Sequence, residues 1–106
     1  MRTIIQRVKV AKVSEMPKNI GKTIKIGAIE IALFHLACGE FRAIENRCPH
    51  KSGVLAEGIV CGDHVFCPMH DWKISVVDGL VQKPDNGCVK TFRVEVEGDD
   101  VYIFLH

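Results

Sequence analysis

Apolar and polar residues alternate along most of this chain, the period of half-buried strands rather than of helices. Val8, Val10 and Val13 mark a first extended stretch, and Glu15-Met16-Pro17-Lys18-Asn19 reads as a turn-rich connector. Thr23 to Ile26 and Ile29 to Leu36 read as strands joined at Gly27-Ala28, and Phe41 to Glu45 as a third after the turn Cys38-Gly39-Glu40. Ile59 to Cys61 and Val65 to Phe66 flank Gly62-Asp63-His64, and Lys73 to Val77 and Leu80-Val81 flank Asp78-Gly79; both patterns predict tight hairpins. Near the end Phe92, Val94 and Val96 alternate with Arg93, Glu95 and Glu97, and Val101 to Leu105 returns after Gly98-Asp99-Asp100. No stripe of ten or more residues has the helical period. Many short strands with frequent turns predict an all-β sandwich or barrel-like stack.

Length and composition narrow this further. A chain of 106 residues suits one domain with one modest core, so residues 1–106 are expected to form a single unit. At 47% hydrophobic residues the composition is that of a globular protein. The formal net charge is +1, with Lys and Arg scattered, so nothing points to nucleic acid or to an anionic membrane surface as a partner. No apolar run approaches the roughly 18 residues that cross a bilayer. Charges break the apolar stretch of Met1-Arg2-Thr3-Ile4-Ile5-Gln6-Arg7-Val8-Lys9, which lacks the apolar core of a secretory signal. The expected compartment is the cytoplasm, where five cysteines are ligands or free thiols rather than a disulfide framework.

Between Asn46 and Trp72 the pattern changes, and proline, glycine, cysteine and histidine collect there. Cys48-Pro49-His50 is a C-x-H, and Cys67-Pro68-Met69-His70 a C-x-x-H, with sixteen residues between His50 and Cys67. Each motif puts a soft thiolate and an imidazole on a short loop, flanked by apolar runs that bring the loops together. Two thiolates and two imidazoles hold either a tetrahedral zinc or a [2Fe–2S] cluster with the cysteines on one iron and the histidines on the other. Zinc fingers of this ligand set usually pair cysteine with cysteine and histidine with histidine. A mixed pair on each of two loops suits two irons side by side, so the spacing favours the cluster over zinc.

This four-residue pattern resembles the signature of Rieske proteins and Rieske-type ferredoxins. Cys48-Pro-His-Lys-Ser-Gly53, Glu57-Gly58, Phe66-Cys-Pro-Met-His-Asp-Trp72, Gly87-Cys-Val-Lys-Thr-Phe92 and the lead-in Ile31-Ala-Leu-Phe34 resemble one branch, the small subunit of assimilatory NAD(P)H nitrite reductase. The resemblance implies three small antiparallel sheets, two forming a base and the third carrying the cluster loops. It implies one [2Fe–2S] cluster, with Cys48 and Cys67 on the inner iron and His50 and His70 on the outer. High-potential respiratory relatives carry a loop-bridging disulfide and a serine near the cluster. The matching positions here are Gly53, Met69 and Trp72. Fewer hydrogen bonds to sulfur stabilise the reduced cluster less, so a potential on the order of −150 to 0 mV is expected.

The expected function is one-electron transfer as the small subunit of that nitrite reductase, beside a large subunit with flavin and sirohaem. The chain has no nucleotide-phosphate loop and no nucleophile–base pair, so no complete active site is expected in it. A free Rieske ferredoxin feeding a ring-hydroxylating dioxygenase would share fold and cluster and differ in partner. A zinc-stabilised binding module is the alternative of another class. Cys38, Cys61 and Cys88 read as small packed hydrophobes, His35 and His64 as ordinary residues, and His106 as solvated. Trp72 reads as a core aromatic or a cover over the site. Pro49 and Pro68 read as loop stiffeners, and Lys51 as either a solvated charge or a docking contact.

Overall fold

The computed structural model describes residues 6–48, 53–68, 72–82 and 87–105. Among them are ten strands: β1 (Gln6–Lys12), β2 (Gly21–Ile26), β3 (Ile29–His35), β4 (Phe41–Glu45), β5 (Ile59–Cys61), β6 (His64–Phe66), β7 (Lys73–Ser75), β8 (Thr91–Phe92), β9 (Val94–Glu97) and β10 (Asp100–Leu105). They form three antiparallel sheets, ordered β1-β10-β9, β2-β3-β4-β8 and β5-β6-β7. The fold is nearly all-β, as the sequence pattern and the resemblance imply. Its helical content among the described residues is two 3₁₀ turns, Val13–Glu15 and Leu55–Glu57.

Turn chemistry sets the strand registers. Ile26 pairs with Ile29, Cys61 with His64 and Glu97 with Asp100, so each hairpin closes on a two-residue loop. In each loop the first residue is a glycine, Gly27, Gly62 or Gly98, at φ of +60 or +61°. A positive φ at the first of two loop residues matches the twist of the flanking strands and is nearly free for glycine.

Sheet β2-β3-β4-β8 lies in the middle and is buried on both faces. Along β3, Ile31 and Leu33 join Ile24, Ala43, Val101 and Ile103 in one apolar cluster. Ala32 and Phe34 join Ile44, Leu55, Val65 and Ile74 in the other. All four β3 residues are fully buried. This is why Ile31–Phe34 reads as a continuous apolar run where β10 alternates. Sheet β1-β10-β9 covers the first face. The second is covered by β5-β6-β7, whose inward row runs Val60, Val65, Ile74 and Val81 across successive strands.

Several boundaries shift by a residue or two from the sequence reading, Leu80–Val81 forms isolated bridges rather than a strand, and three differences have a clear cause. The first strand ends at Lys12, because the Val13 N–H donates to the Asp99 carbonyl and starts a 3₁₀ turn. The strand expected to reach Val77 ends at Ser75, whose hydroxyl accepts the Val77 N–H while its carbonyl accepts the Gly79 N–H. The run from Phe92 to Val96 is not one strand. It breaks at Arg93, with β8 pairing in the middle sheet and β9 in the outer one. His35 is buried, and its Nδ1 lies 2.7 Å from the Met16 carbonyl. A carbonyl only accepts, so Nδ1 carries the proton. The ring stacks on Phe41 at 4.2 Å, a structural role as expected.

The Val13–Glu15 turn is capped from across the chain. The Asp99 carboxylate accepts the Ser14 hydroxyl at 2.8 Å and the Ser14 N–H at 2.9 Å. These bonds favour the ionised form and hold the Asp99 pKa below its ordinary value. A depressed folded-state pKa gives stability that is present above the unfolded pKa and lost as pH falls through the folded one. Asp99→Asn keeps an acceptor for the N–H and removes the titration. The fall in urea midpoint between pH 6 and pH 3 should therefore be smaller in Asp99→Asn than in the parent.

Candidate metal centre

Cys48 and Cys67 sit at the roots of the two motifs. Cys48 lies just beyond β4, and Cys67 directly after β6. Their relative exposures are 3% and 1%, and both belong to the apolar cluster with Leu55, Val65, Ile74 and Val76. The structure thus brings the two predicted thiols to one wall of one core. His50 and His70, the other two expected ligands, lie outside the described residues, as do Pro49, Lys51, Met69 and His106.

Each motif is closed at its base in the same way. The Cys48 N–H donates to the Gly53 carbonyl at 3.0 Å, and the Cys67 N–H to the Trp72 carbonyl at 2.8 Å. Both bonds span five residues. They satisfy the backbone of each buried cysteine and pin the ends of each segment together. Gly53 and Trp72 therefore supply carbonyl partners at the two positions. The Trp72 side chain is partly buried and packs against the same cluster, as does Val54, which agrees with a core or covering role.

Close backbone approaches make this wall compact. A Cβ on Gly58 would lie 2.2 Å from the Phe66 carbonyl oxygen, so glycine lets the chain enter β5 flat against β6. Gly79 has φ +78°, and a Cβ there would lie 2.2 Å from the Val89 carbonyl oxygen. Its neighbours tie the outer flank: Val89 N–H donates to the Gly79 carbonyl, Val81 N–H to the Gly87 carbonyl, and Leu80 pairs with Cys88. The Asp78 carboxylate accepts the Leu80 N–H at 3.0 Å. That bond, and a second with Ser75, hold its pKa below the ordinary value.

The other three cysteines correct the sequence reading. Cys38, Cys61 and Cys88 are exposed rather than packed as small hydrophobes. In β5 the inward position is taken by Val60, which leaves Cys61 facing out. Val89 takes the inward position next to Cys88. Cys38 sits in the turn before β4, its thiol 3.6 Å from Glu40. None of the five is in a disulfide. His64 begins β6 and lies 2.9 Å from Asp63, away from any ligand role.

The donor chemistry fits a metal centre. Two thiols buried in one apolar cluster, with three others left exposed, form a soft donor pair that suits a thiophilic metal. Asn46 is a residue the sequence reading passed over. It is buried just ahead of Cys48 and hydrogen-bonded to three separate elements. A lone asparagine after a strand carries no periodic signal, so only its position two residues before the C-x-H could have marked it.

Three antiparallel sheets with two buried thiols, one just beyond β4 of the middle sheet and one directly after β6 of the third, suit a small metal-binding protein. Residues 6–93 match the Rieske [2Fe-2S] domain, and the chain belongs to that family. The cofactor that such a domain holds is a [2Fe–2S] cluster, and the chain is an electron carrier of the Rieske kind. It is 34% identical over 100 residues to the ferredoxin component of the alkene monooxygenase system of Xanthobacter autotrophicus, covering 93% of this chain and 81% of that protein. A solved structure described as the small subunit of an NADPH nitrite reductase superposes with a TM-score of 0.82 at 26% identity, covering 92% of this chain and 97% of that one. Another, described as the small subunit of an NADH-dependent nitrite reductase from Mycobacterium tuberculosis, shares the fold at a TM-score of 0.90 and 18% identity, covering 98% of both chains. No helix among the described residues is long and apolar enough to cross a membrane.

Proposed function

We propose that Cys48 and Cys67 hold the inner iron of the cluster and His50 and His70 the outer one. We further propose that the chain is the small subunit of an assimilatory NAD(P)H-dependent nitrite reductase in the cytoplasm. Its partner in this reading is a large subunit that carries flavin and sirohaem. When bound, the cluster supplies reversible one-electron chemistry. The chain's own residues hold that centre at an edge and shield its inner side. Leu55, Val65, Ile74 and Val76 exclude water behind the two thiols. The two cysteine N–H groups are committed to Gly53 and Trp72 and so fix the root of each ligand segment.

The observation that supports this reading is where the branch-like sequence runs fall. Gly53, Gly58 and Trp72 each close part of the frame around the two cysteines, through a carbonyl or a close approach, and Gly87 ties the outer flank through Val81. The resemblance to the nitrite reductase small subunit is thus carried by the residues that shape the site. The second reading, a ferredoxin serving an oxygenase, is favoured by the 34% identity to the alkene monooxygenase ferredoxin component.

Purification of a tagged chain from native extract distinguishes them. A large flavin- and sirohaem-containing protein should come with it, and deletion should abolish growth on nitrite as sole nitrogen source. Recovery of an oxygenase or its flavin reductase, with normal growth on nitrite, would establish the second reading.

A further inference from the structure

The two segments that carry the buried cysteines are braced differently. Cys67 and Trp72 lie between paired strands, with Phe66 opposite Lys73 and Val65 opposite Ile74. That ladder holds both ends of the second segment in register. No such ladder brackets Cys48 among the described residues. β4, which precedes it, pairs with β3 and β8, and beyond Gly53 the chain enters the 3₁₀ turn Leu55–Glu57.

One side chain stands in place of the ladder. Asn46 directly follows β4 and is 5% exposed. Its backbone N–H donates to the Glu30 carbonyl at 3.1 Å. Its Nδ2 donates to the Thr23 hydroxyl oxygen at 3.0 Å and lies 3.4 Å from Glu30 Oε1. Its Oδ1 accepts the Ala56 N–H at 2.8 Å. An N–H can only donate, so the amide orientation is fixed by this set of partners. Asn46 therefore joins β2, β3 and the Leu55–Glu57 turn. Its bond to Ala56 encloses the Cys48–Gly53 bond, giving two nested clasps around the first segment. On the middle sheet, Thr23 pairs with Ala32 and so lies on the sheet face that holds the cysteine-bearing cluster, at its exposed edge strand.

We propose that Asn46 is a positioning residue that sets the place of Cys48 against Cys67 and thereby governs how firmly the iron–sulfur centre is held. This rests on Cys48 being an iron ligand, which the iron content of Cys48→Ser tests by itself. The experiment compares release of iron from the loaded, folded protein to excess chelator, and the paramagnetic signal of the reduced protein. Asn46→Ala removes all three side-chain bonds and should release iron at least about fivefold faster, with shifted g-values, the scale of one or more lost hydrogen bonds. Asn46→Asp keeps an acceptor for Ala56 but loses the Nδ2 donor and sets a carboxylate beside that of Glu30, so its release should also be faster than that of the parent. Ile103→Val trims the other apolar cluster, lowering thermal stability without changing the release rate or the signal. Thr23→Val, which removes one clasp bond, should speed release about twofold and serves if Asn46→Ala does not fold. Release and g-values unchanged in Asn46→Ala, or in Thr23→Val in its stead, would overturn the proposal. So would Ile103→Val accelerating release as much as Asn46→Ala does.

Discussion

Replacing Cys48 or Cys67 by serine should leave a colourless protein with at least about tenfold less iron than the parent. The parent should carry about two irons and two acid-labile sulfides per chain and no stoichiometric zinc. The reason is partly chemical and partly structural. A hydroxyl stays protonated near neutral pH and is a far poorer ligand for iron than a thiolate. Both thiols also belong to an apolar cluster that contains no carboxylate among the described residues, so none of its members can take over the vacant position. Exposed Cys38, Cys61 and Cys88 supply the internal comparison. Serine at any of those three should leave iron, sulfide and colour unchanged. Metal and sulfide analysis of the five single variants checks this. A normal iron content in Cys48→Ser or Cys67→Ser would overturn the ligand assignment, and one zinc in place of iron would establish the structural-zinc alternative.

The largest stability effect is expected from Phe34→Ala. Phe34 is fully buried and lies on the face of β3 turned toward the cysteine-bearing core. Its ring reaches over β2, so that a Cβ on Gly21 would lie 2.7 Å from Phe34 Cε1. Truncation leaves a phenyl-sized hole where two sheets and the Leu55–Glu57 turn meet, and none of the three collapses into it easily. The cost for such a change is about 3–5 kcal/mol, against a total of about 5–15 kcal/mol for a domain of this size. The thermal midpoint of the loaded protein should fall by roughly 15 °C or more. A fall of only a few degrees would show that the two sheets are not clamped through this ring. Ile44→Val, on the same face, should cost only about 0.5–1.5 kcal/mol and calibrates the comparison.

Much of this architecture was legible in the order of residues alone. Hairpin turns are local chemistry, so Gly27-Ala28 and Gly62-Asp63-His64 marked their strands to within a residue at the loop, His64 itself beginning β6. The C-x-H and C-x-x-H spacing pointed to Cys48 and Cys67 as a pair, and the structure places both in one core. The features that could not be read were set by distant partners. Arg93 breaks a good alternating strand because its flanks belong to two different sheets. Ser75 ends β7 through its own hydroxyl, a competition between side chain and ladder that apolar periodicity does not register. The exposed cysteines misled because average burial of a residue type says nothing of which side of a strand it occupies. Asn46 was invisible for the opposite reason: its partners, Thr23, Glu30 and Ala56, are scattered in sequence and converge only in the folded chain.

The order of the outer sheet, β1-β10-β9, has a consequence for synthesis of the chain. Its central strand is the last of the ten described strands in chain order. β1 emerges first, yet Gln6 waits for Leu105 and Lys12 for Asp100 before it has a neighbour to bond. Every strand of the cysteine-bearing sheet, and all of the middle sheet, precedes β9 in the chain. In chain order the strands that house the two thiols all precede β9 and β10, so Ala11, Ile31 and Leu33 are made well before their cover, Val101 and Ile103. A chain short of β9 and β10 therefore carries an open apolar floor, and that floor is the surface to be shielded from aggregation.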